Sequence, residues 1–393
     1  MSLSLVNRHG PGRGSGRCAP GNGRRAVSTR AAKLRAAPST CNCRICRGTR
    51  EHWTHHEWCF GPKSPFVTKP SLAVLSLFQE IARIMRVKVW QMLGLIGLIG
   101  AVFCATAAPR AEHVLIISMD GAAPWVIRDT PMPTLRQLAR EGAVTWQAET
   151  TLPSVTLPSH ASMLTGVTPS RHRITWNDWR PTNGVIQVPT IFAAAKQAGL
   201  STAMFVGKIK FYHLLQPGSV DRFDFAGKDS NNNDASEQGY RSADGDPRNR
   251  ARAVAARAAD YWRRHRPNLC FIHLADPDWV GHQYGWGSPE QRRSLQTVDA
   301  ALGTVLGAVR QAGLRSQTVV IITADHGGHE KGHSKGIPAD VQIPWVAWGR
   351  GVRAGTQLNL PVNTCDTAAT ALWLLDVAPL LPLDGKPVTA AFR

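Results

Sequence analysis

Val114-Leu-Ile-Ile-Ser-Met119, followed at once by Asp120-Gly121, is a short unbroken apolar run. A strand with one wet face alternates apolar and polar residues, so a run without alternation suits a central strand covered on both faces. Leu269-Cys-Phe-Ile-His-Leu-Ala275 and Thr318-Val-Val-Ile-Ile-Thr323 have the same form, and Ser201 to Val206 and Val341 to Trp348 read as further strands. Helical spacing lies between them. Pro133 to Arg140 is closed by Gly142 and Pro189 to Ala198 by Gly199, while Arg250 to His265, Gln291 to Gln311 and Asp366 to Leu375 also read as helices. The polar stretch from Lys228 to Arg248 reads as a surface loop. Strands alternating with helices predict one α/β domain built on a mostly parallel sheet.

The chain has 393 residues and a formal net charge of +19, which would suggest a polyanionic partner if it were evenly spread. Residues 1 to 110 hold 17 of the 46 basic residues and 3 of the 27 acidic ones, which leaves only +5 for the remainder. No aromatic platform or groove-reading helix accompanies the basic segment, so nucleic-acid recognition is not expected. Residues 1–84 read as a disordered basic segment or a mis-called start. Their Cys43 and Cys46, with His52, His55, His56 and Cys59, match no zinc-finger spacing. From Met85, Arg86-Val-Lys88 leads into an apolar run through Phe103 and then Ala105-Thr-Ala107, the three parts of a secretory signal. Residues 85–107 are therefore expected to be a signal segment, the only membrane contact if uncleaved, and 108–393 the working domain, periplasmic or secreted. Two cysteines, Cys270 and Cys365, would remain after cleavage, enough for one disulfide and no disulfide scaffold.

Ligands in open α/β sheets bind beyond the carboxyl ends of the strands. Three such ends carry carboxylates and imidazoles: Asp120; Asp276-Pro-Asp278-Trp-Val-Gly-His282; and Asp325-His326-Gly-Gly-His329-Glu-Lys-Gly-His333. One aspartate after a strand is commonly a turn former; three at once favour a shared site. Oxygen and nitrogen donors without cysteine suit zinc or a similar divalent ion, and the candidates outnumber the ligands of one catalytic ion, so two ions are expected. That gives a reason for Thr156 in Ser154-Val-Thr-Leu-Pro-Ser-His160. Metal coordination makes a hydroxyl nucleophilic near neutral pH, and a helix N-terminus beside it would face a phosphoryl group with free N–H donors.

Met-Asp-Gly at 119 to 121, Thr-Leu-Pro-Ser-His at 156 to 160 with Leu-Thr-Gly at 164 to 166, Pro-Asp-Trp-Val-Gly-His at 277 to 282 and Ala-Asp-His-Gly at 324 to 327 together resemble the alkaline phosphatase superfamily. The branch is similar to the type I phosphodiesterase/nucleotide pyrophosphatases, over roughly residues 112 to 380. The resemblance implies a three-layer sandwich, a central mostly parallel sheet flanked by helices. It implies that Thr156 is the nucleophile, forming a covalent phosphothreonine and itself touching the metal. Asp120, Asp325 and His326 would hold the ion that activates it, and Asp278 and His282 the second ion. The remaining ligand in many relatives is a histidine nearer the C-terminus. None follows His333 here, so His333 is preferred to His329, because a Gly-His-Ser turn seven residues beyond His326 folds back more easily than one three residues away. Asn177 matches the asparagine that donates to a non-bridging phosphate oxygen. Asp276 and His160 are expected to be structural.

The expected activity is hydrolysis of a small phosphodiester or nucleotide pyrophosphate. No arginine is assigned to a monoester's extra charge, which favours diesters, whereas Leu157-Pro-Ser159-His160 departs from the Phe-Pro-Asn-His of many diesterases and leaves an alkaline phosphomonoesterase or phosphonate hydrolase as the alternative. A phosphotransferase or a non-catalytic binding protein is a weaker reading. Trp176, Trp179, Trp279 and Trp286 lie near site residues in sequence, where they would stack on a base or pack the core.

Overall fold

The computed structural model describes residues 71–102, 109–226 and 250–393. The basic segment through residue 70 with its Cys43–Cys46 pair, the expected cleavage site within 103–108 and most of the polar loop at 227–249 lie outside them. The chain divides into two compact units, Met1–Trp90 and Gln91–Arg393. Helix α1, Leu72–Val102, crosses that division and begins upstream of Met85. Among the described residues, no helix is long and apolar enough to cross a membrane.

The second unit continues as β1 (His113–Met119), α2 (Pro124–Arg128), α3 (Pro133–Glu141), β2 (Ala143–Glu149), α4 (Thr156–Thr165), α5 (Pro169–His172), α6 (Ile191–Gln197), β3 (Thr202–Val206) and β4 (Arg222–Phe225). There follow α7 (Arg250–His265), β5 (Leu269–Leu274), α8 (Asp276–Tyr284), α9 (Pro289–Gln311), β6 (Thr318–Thr323), α10 (Pro338–Val341), β7 (Gln342–Gly349), β8 (Thr356–Gln357) and α11 (Thr364–Leu375). One eight-stranded sheet has the order β4-β3-β5-β1-β6-β7-β2-β8. The strands from β4 to β6 are parallel, and β7 runs antiparallel to both of its neighbours. The sheet is thus mixed but mostly parallel, as the alternation of strands and helices predicts.

The apolar runs are central for the expected reason. Every residue of β1, β5 and β6 is buried, and α3, α7, α8 and α9 contact one another in one helical layer while α4, α6 and α11 do so in another. Helix α7 turns Val254, Ala255, Ala258, Ala259 and Trp262 inward, the spacing of a single helical face. Strand β2 was hidden in sequence by Thr145, Trp146 and Gln147; it is recognised only by its pairing with β7 and β8. Because β2 is antiparallel to β7, and β7 to β6, the chain leaves β2 at the same rim as it leaves β1, β5 and β6. Cys270 and Cys365 are free, buried thiols, so the pair forms no disulfide.

Helix α9 anchors α3 through a carboxylate. The Asp299 side chain, 4 % exposed, accepts N–H bonds from Thr134 (3.0 Å) and Leu135 (2.8 Å), two of the donors that the first turn of α3 cannot satisfy internally. Replacing Asp299 by Ala strands both. The variant is expected to lose about 2 kcal/mol of stability, read as a lower denaturant midpoint, with metal content unchanged because the bond lies away from the strand rim described next.

Candidate functional site

Four adjacent parallel strands, β3, β5, β1 and β6, end at one rim, and each delivers a charged side chain within the next few residues. Lys208 follows β3, Asp278 follows β5, Asp120 follows β1, and Asp325 and His326 follow β6. Thr156 arrives from the loop after β2 as the first residue of α4, a helix buried along its whole length. Asp278 and His282 stand one turn apart on α8 and so share its face. The rim is closely fitted. Gly121 has φ +69°, and a Cβ there would lie 2.9 Å from the Asp278 Cα, so only glycine lets the Asp120 turn approach α8.

The structure brings Asp120, Thr156, Asp278, His282, Asp325, His326 and His333 together at this rim. Two groups of three have ligand atoms close enough for one ion: Asp278, His282 and His333, and Asp120, Asp278 and His326. His326 Nε2 lies 3.3 Å from Asp325 Oδ2 and 3.4 Å from Asp120 Oδ1. His333 Nε2 lies 3.1 Å from His282 Nε2 and 3.5 Å from Asp278 Oδ1. His329 is elsewhere, with its Nδ1 2.6 Å from Asp340 Oδ1. Asp276 binds the Ala251 N–H at the start of α7 with both oxygens, at 2.9 and 3.1 Å.

The chemistry of the donors fits metal ions. His282, His326 and His333 each direct Nδ1 to a backbone carbonyl, of Lys331, Gly327 and Ser154 respectively. A carbonyl only accepts, so Nδ1 carries a proton, and each ring, once Nε2 is free of its own proton, turns a lone pair to the site. Two such lone pairs facing one another at 3.1 Å call for a cation or a proton between them. At this rim four buried atoms have no hydrogen-bond partner, Asp120 Oδ1, Asp278 Oδ1, Asp325 Oδ2 and His326 Nε2, and these are the atoms that the short distances above draw together. The opposite oxygens are held by the protein: Asp325 Oδ1 accepts from Gly121 N and His326 N, and Asp120 Oδ2 bonds His273 Nε2 at 2.7 Å.

Lys208 was not singled out in the sequence. Its buried ammonium lies 2.7 Å from Asp120 Oδ2, 2.6 Å from Asp278 Oδ2 and 3.2 Å from Thr156 Oγ. The rule that flagged the aspartates would have found it, since Lys208 stands two residues past β3. Burial opposes charge on Asp120 and Asp278, yet Lys208 holds both carboxyls below the usual range. Asp325, buried and next to Asp120, is pushed up to about 8. Burial likewise opposes charge on His326, but Asp325, Asp120 and Asp278 push it up to about 9. Lys208 alone is one positive charge against three buried carboxyl groups, and the protons kept on Asp325 and His326 make up the difference.

The loop that carries Thr156 is tied to both groups of candidate ligands. Ser154 Oγ donates to the His333 carbonyl at 2.5 Å, and Ser159 Oγ on α4 donates to the Asp325 carbonyl at 2.7 Å. His160 donates from Nδ1 to the Thr156 carbonyl and takes Ser118 Oγ–H at Nε2, both at 2.8 Å; burial lowers its pKa and keeps it neutral and structural. Asn177 Oδ1 accepts the Leu157 N–H at 2.9 Å. Asn177, Lys208, Asp278, Trp279 and His282 line a cavity of ≈ 240 Å³ beside Thr156. Trp286 instead packs inward, donating Nε1–H to the Gly121 carbonyl at 2.9 Å, while Trp176 and Trp179 lean on His213.

The comparisons with known proteins agree with this fold. Residues 114–341 match the family model of type I phosphodiesterase/nucleotide pyrophosphatase. Ectonucleotide pyrophosphatase/phosphodiesterase family member 7 of Mus musculus is 23 % identical over 242 residues, 57 % of this chain and 52 % of that protein; the chain spans about half the length of the curated relatives it matches. Murine ectonucleotide pyrophosphatase/phosphodiesterase 5, in an inactive form in complex with AMP, superposes with a TM-score of 0.57 at 15 % identity, covering 72 % of this chain and 100 % of that one. A phosphonate monoester hydrolase from Silicibacter pomeroyi has a TM-score of 0.53 at 17 % identity, with 70 % and 76 % covered. With a rim of aspartates and histidines beside a threonine that begins a helix and a family model matched over more than half its length, the chain belongs to the type I phosphodiesterase/nucleotide pyrophosphatase family.

Proposed function

We propose that this protein hydrolyses small phosphodiesters or nucleotide pyrophosphates through a phosphothreonine at Thr156. The observation that supports the reading is one buried hydroxyl, on the first residue of a helix, bonded to the same Lys208 ammonium as Asp120 and Asp278, whose inner oxygens are unpartnered. Asp120, Asp325 and His326, with Thr156 itself, would hold one divalent ion, and Asp278, His282 and His333 a second; zinc suits these donors. When bound, the ions would make the threonine hydroxyl more acidic and offset charge on the reacting oxygens.

Thr156 Oγ attacks phosphorus in line, losing its proton to solvent. The new Oγ–P bond forms as the bond to the leaving oxygen breaks, and that oxygen keeps the electron pair. Water then attacks the phosphothreonine, the Oγ–P bond breaks and the threonine is restored, so each turnover consumes one water and cleaves one ester. At the N-terminus of α4, Leu157 N–H is taken by Asn177, residue 158 is a proline and Ser159 N–H bonds the Val155 carbonyl, so the backbone offers the phosphoryl group at most the Thr156 N–H. Asn177 spends its Oδ1 on Leu157 N and so turns its amide nitrogen to a non-bridging oxygen. Trp279 at the cavity wall offers an apolar surface to the leaving group. A nucleotide substrate is supported by the AMP held in the inactive murine relative. The signal-like pattern from Met85 supports a periplasmic or secreted working domain, a reading tested by sequencing the mature N-terminus.

Replacing Thr156 by Ala is expected to reduce hydrolysis of bis-p-nitrophenyl phosphate by about 10³-fold or more, and to abolish a phosphothreonine detectable by mass spectrometry after acid quench. Residual full activity would send the nucleophile elsewhere. Elemental analysis separates the two histidines: His333→Ala is expected to lose one equivalent of metal, whereas His329→Ala keeps both. Metal uptake has a signed pH dependence. Asp325, at about 8, and His326, at about 9, must both give up a proton to become ligands. Zinc affinity of the apoprotein is therefore expected to rise with pH through that range and uptake to release protons, measured by calorimetry in buffers of different ionisation heat.

A further inference from the structure

Lys208 is a buried cation of the site to which the two-ion mechanism gives no task. Its ammonium is nearly enclosed, with 10 % of the side chain exposed, and it makes three contacts, one for each N–H: Asp120 Oδ2, Asp278 Oδ2 and Thr156 Oγ. It binds the outer oxygen of each carboxylate, while the inner ones, Asp120 Oδ1 and Asp278 Oδ1, are left unpartnered. Ammonium and metal ions therefore use different atoms, and Lys208 keeps its place when the ligand atoms are filled. It also touches both ligand groups, since Asp278 is common to the two and Asp120 belongs to one of them.

The third contact is the one that changes during reaction. Once Thr156 Oγ is bonded to phosphorus it is an ester oxygen, a poorer acceptor than a hydroxyl, and the non-bridging oxygens sit next to it. The third N–H of Lys208 then turns to one of those oxygens, at the wall of the cavity that Lys208 itself lines. A diester presents one negative charge on its non-bridging oxygens and a monoester dianion presents two. A fixed, always-protonated cation in contact with the attacking oxygen distinguishes them, because the extra charge interacts with it in a site sheltered from water.

We infer that Lys208 is a substrate-charge-reading residue of this site, the group that accommodates a dianionic phosphoryl group, so that phosphate monoesters are substrates beside diesters. The inference rests on the proposed phosphoryl chemistry and bears on one expectation drawn from the sequence, that with no arginine assigned to the monoester's extra charge diesters are favoured.

The test uses the metal-loaded protein and its Lys208→Met and Lys208→Arg variants. Hydrolysis of p-nitrophenyl phosphate and bis-p-nitrophenyl phosphate gives the ratio of monoester to diester kcat/KM. Binding of inorganic phosphate and of dimethyl phosphate, by calorimetry, gives the same comparison without turnover. Lys208→Met is expected to keep its metal by elemental analysis, to lower the monoester-to-diester ratio by about tenfold or more, and to weaken phosphate more than dimethyl phosphate by a similar factor. Lys208→Arg is expected to restore most of both ratios. Equal losses for the two charge classes, or loss of metal with Lys208→Met, would overturn the inference and leave Lys208 as a support for the carboxylates. Lys208→Gln replaces Lys208→Met should the latter fail to fold. If the wild-type protein turns over neither ester, the proposed activity fails, and the phosphate against dimethyl phosphate comparison still decides the role of Lys208.

Discussion

Three carboxylates, Asp120, Asp278 and Asp325, are buried within reach of one another at the end of three neighbouring strands. Left to themselves they repel, and burial deprives them of the water that would screen the repulsion. The remainder of the site can be understood as the response to that constraint. Lys208 supplies one positive charge and spreads it over two carboxylates. His273 and the Gly121 and His326 N–H groups take the outer oxygens of Asp120 and Asp325. What stays unanswered is the inner set of oxygens and the His326 nitrogen, and a divalent cation is the simplest group that meets all of them.

The orientation of the imidazoles shows the same economy of design. Backbone carbonyls fix the proton on Nδ1 in His282, His326 and His333, so the tautomer is decided by the fold before any ion arrives. The backbone that does this belongs in part to the loop that leads into Thr156: the His333 ring is held by the Ser154 carbonyl, two residues from Thr156. Displacing the loop would therefore move the His333 ring and the Thr156 hydroxyl together. Such coupling keeps a threonine and two ligand groups in register without a rigid covalent link.

Much of this was legible in the chain. Unbroken apolar runs marked the central strands, because strands covered on both faces cannot afford polar positions, and the acids and histidines immediately after them marked the rim. Other parts were not. Strand β2 reads as polar because its face is only half covered, and the antiparallel direction of β7 leaves no trace in composition. Lys208 sits in Val206-Gly207-Lys208-Ile209-Lys210, where a lysine reads as an ordinary solvated residue; its burial follows from β3 lying beside β5, a long-range pairing.

The sequence by itself determined which side chains leave the strands at the rim and that they are carboxylates, imidazoles and a hydroxyl, since local apolar patterning sets where strands end. Only the tertiary structure decided which of them meet. The order β3-β5-β1-β6 sets a lysine, two aspartates and an aspartate–histidine pair side by side, and the fold-back of residues 327–333 brings His333 to His282 while His329 turns to Asp340. The physical reason is that strand order and loop closure are fixed by packing between segments far apart in the chain, a quantity that no short window of residues contains.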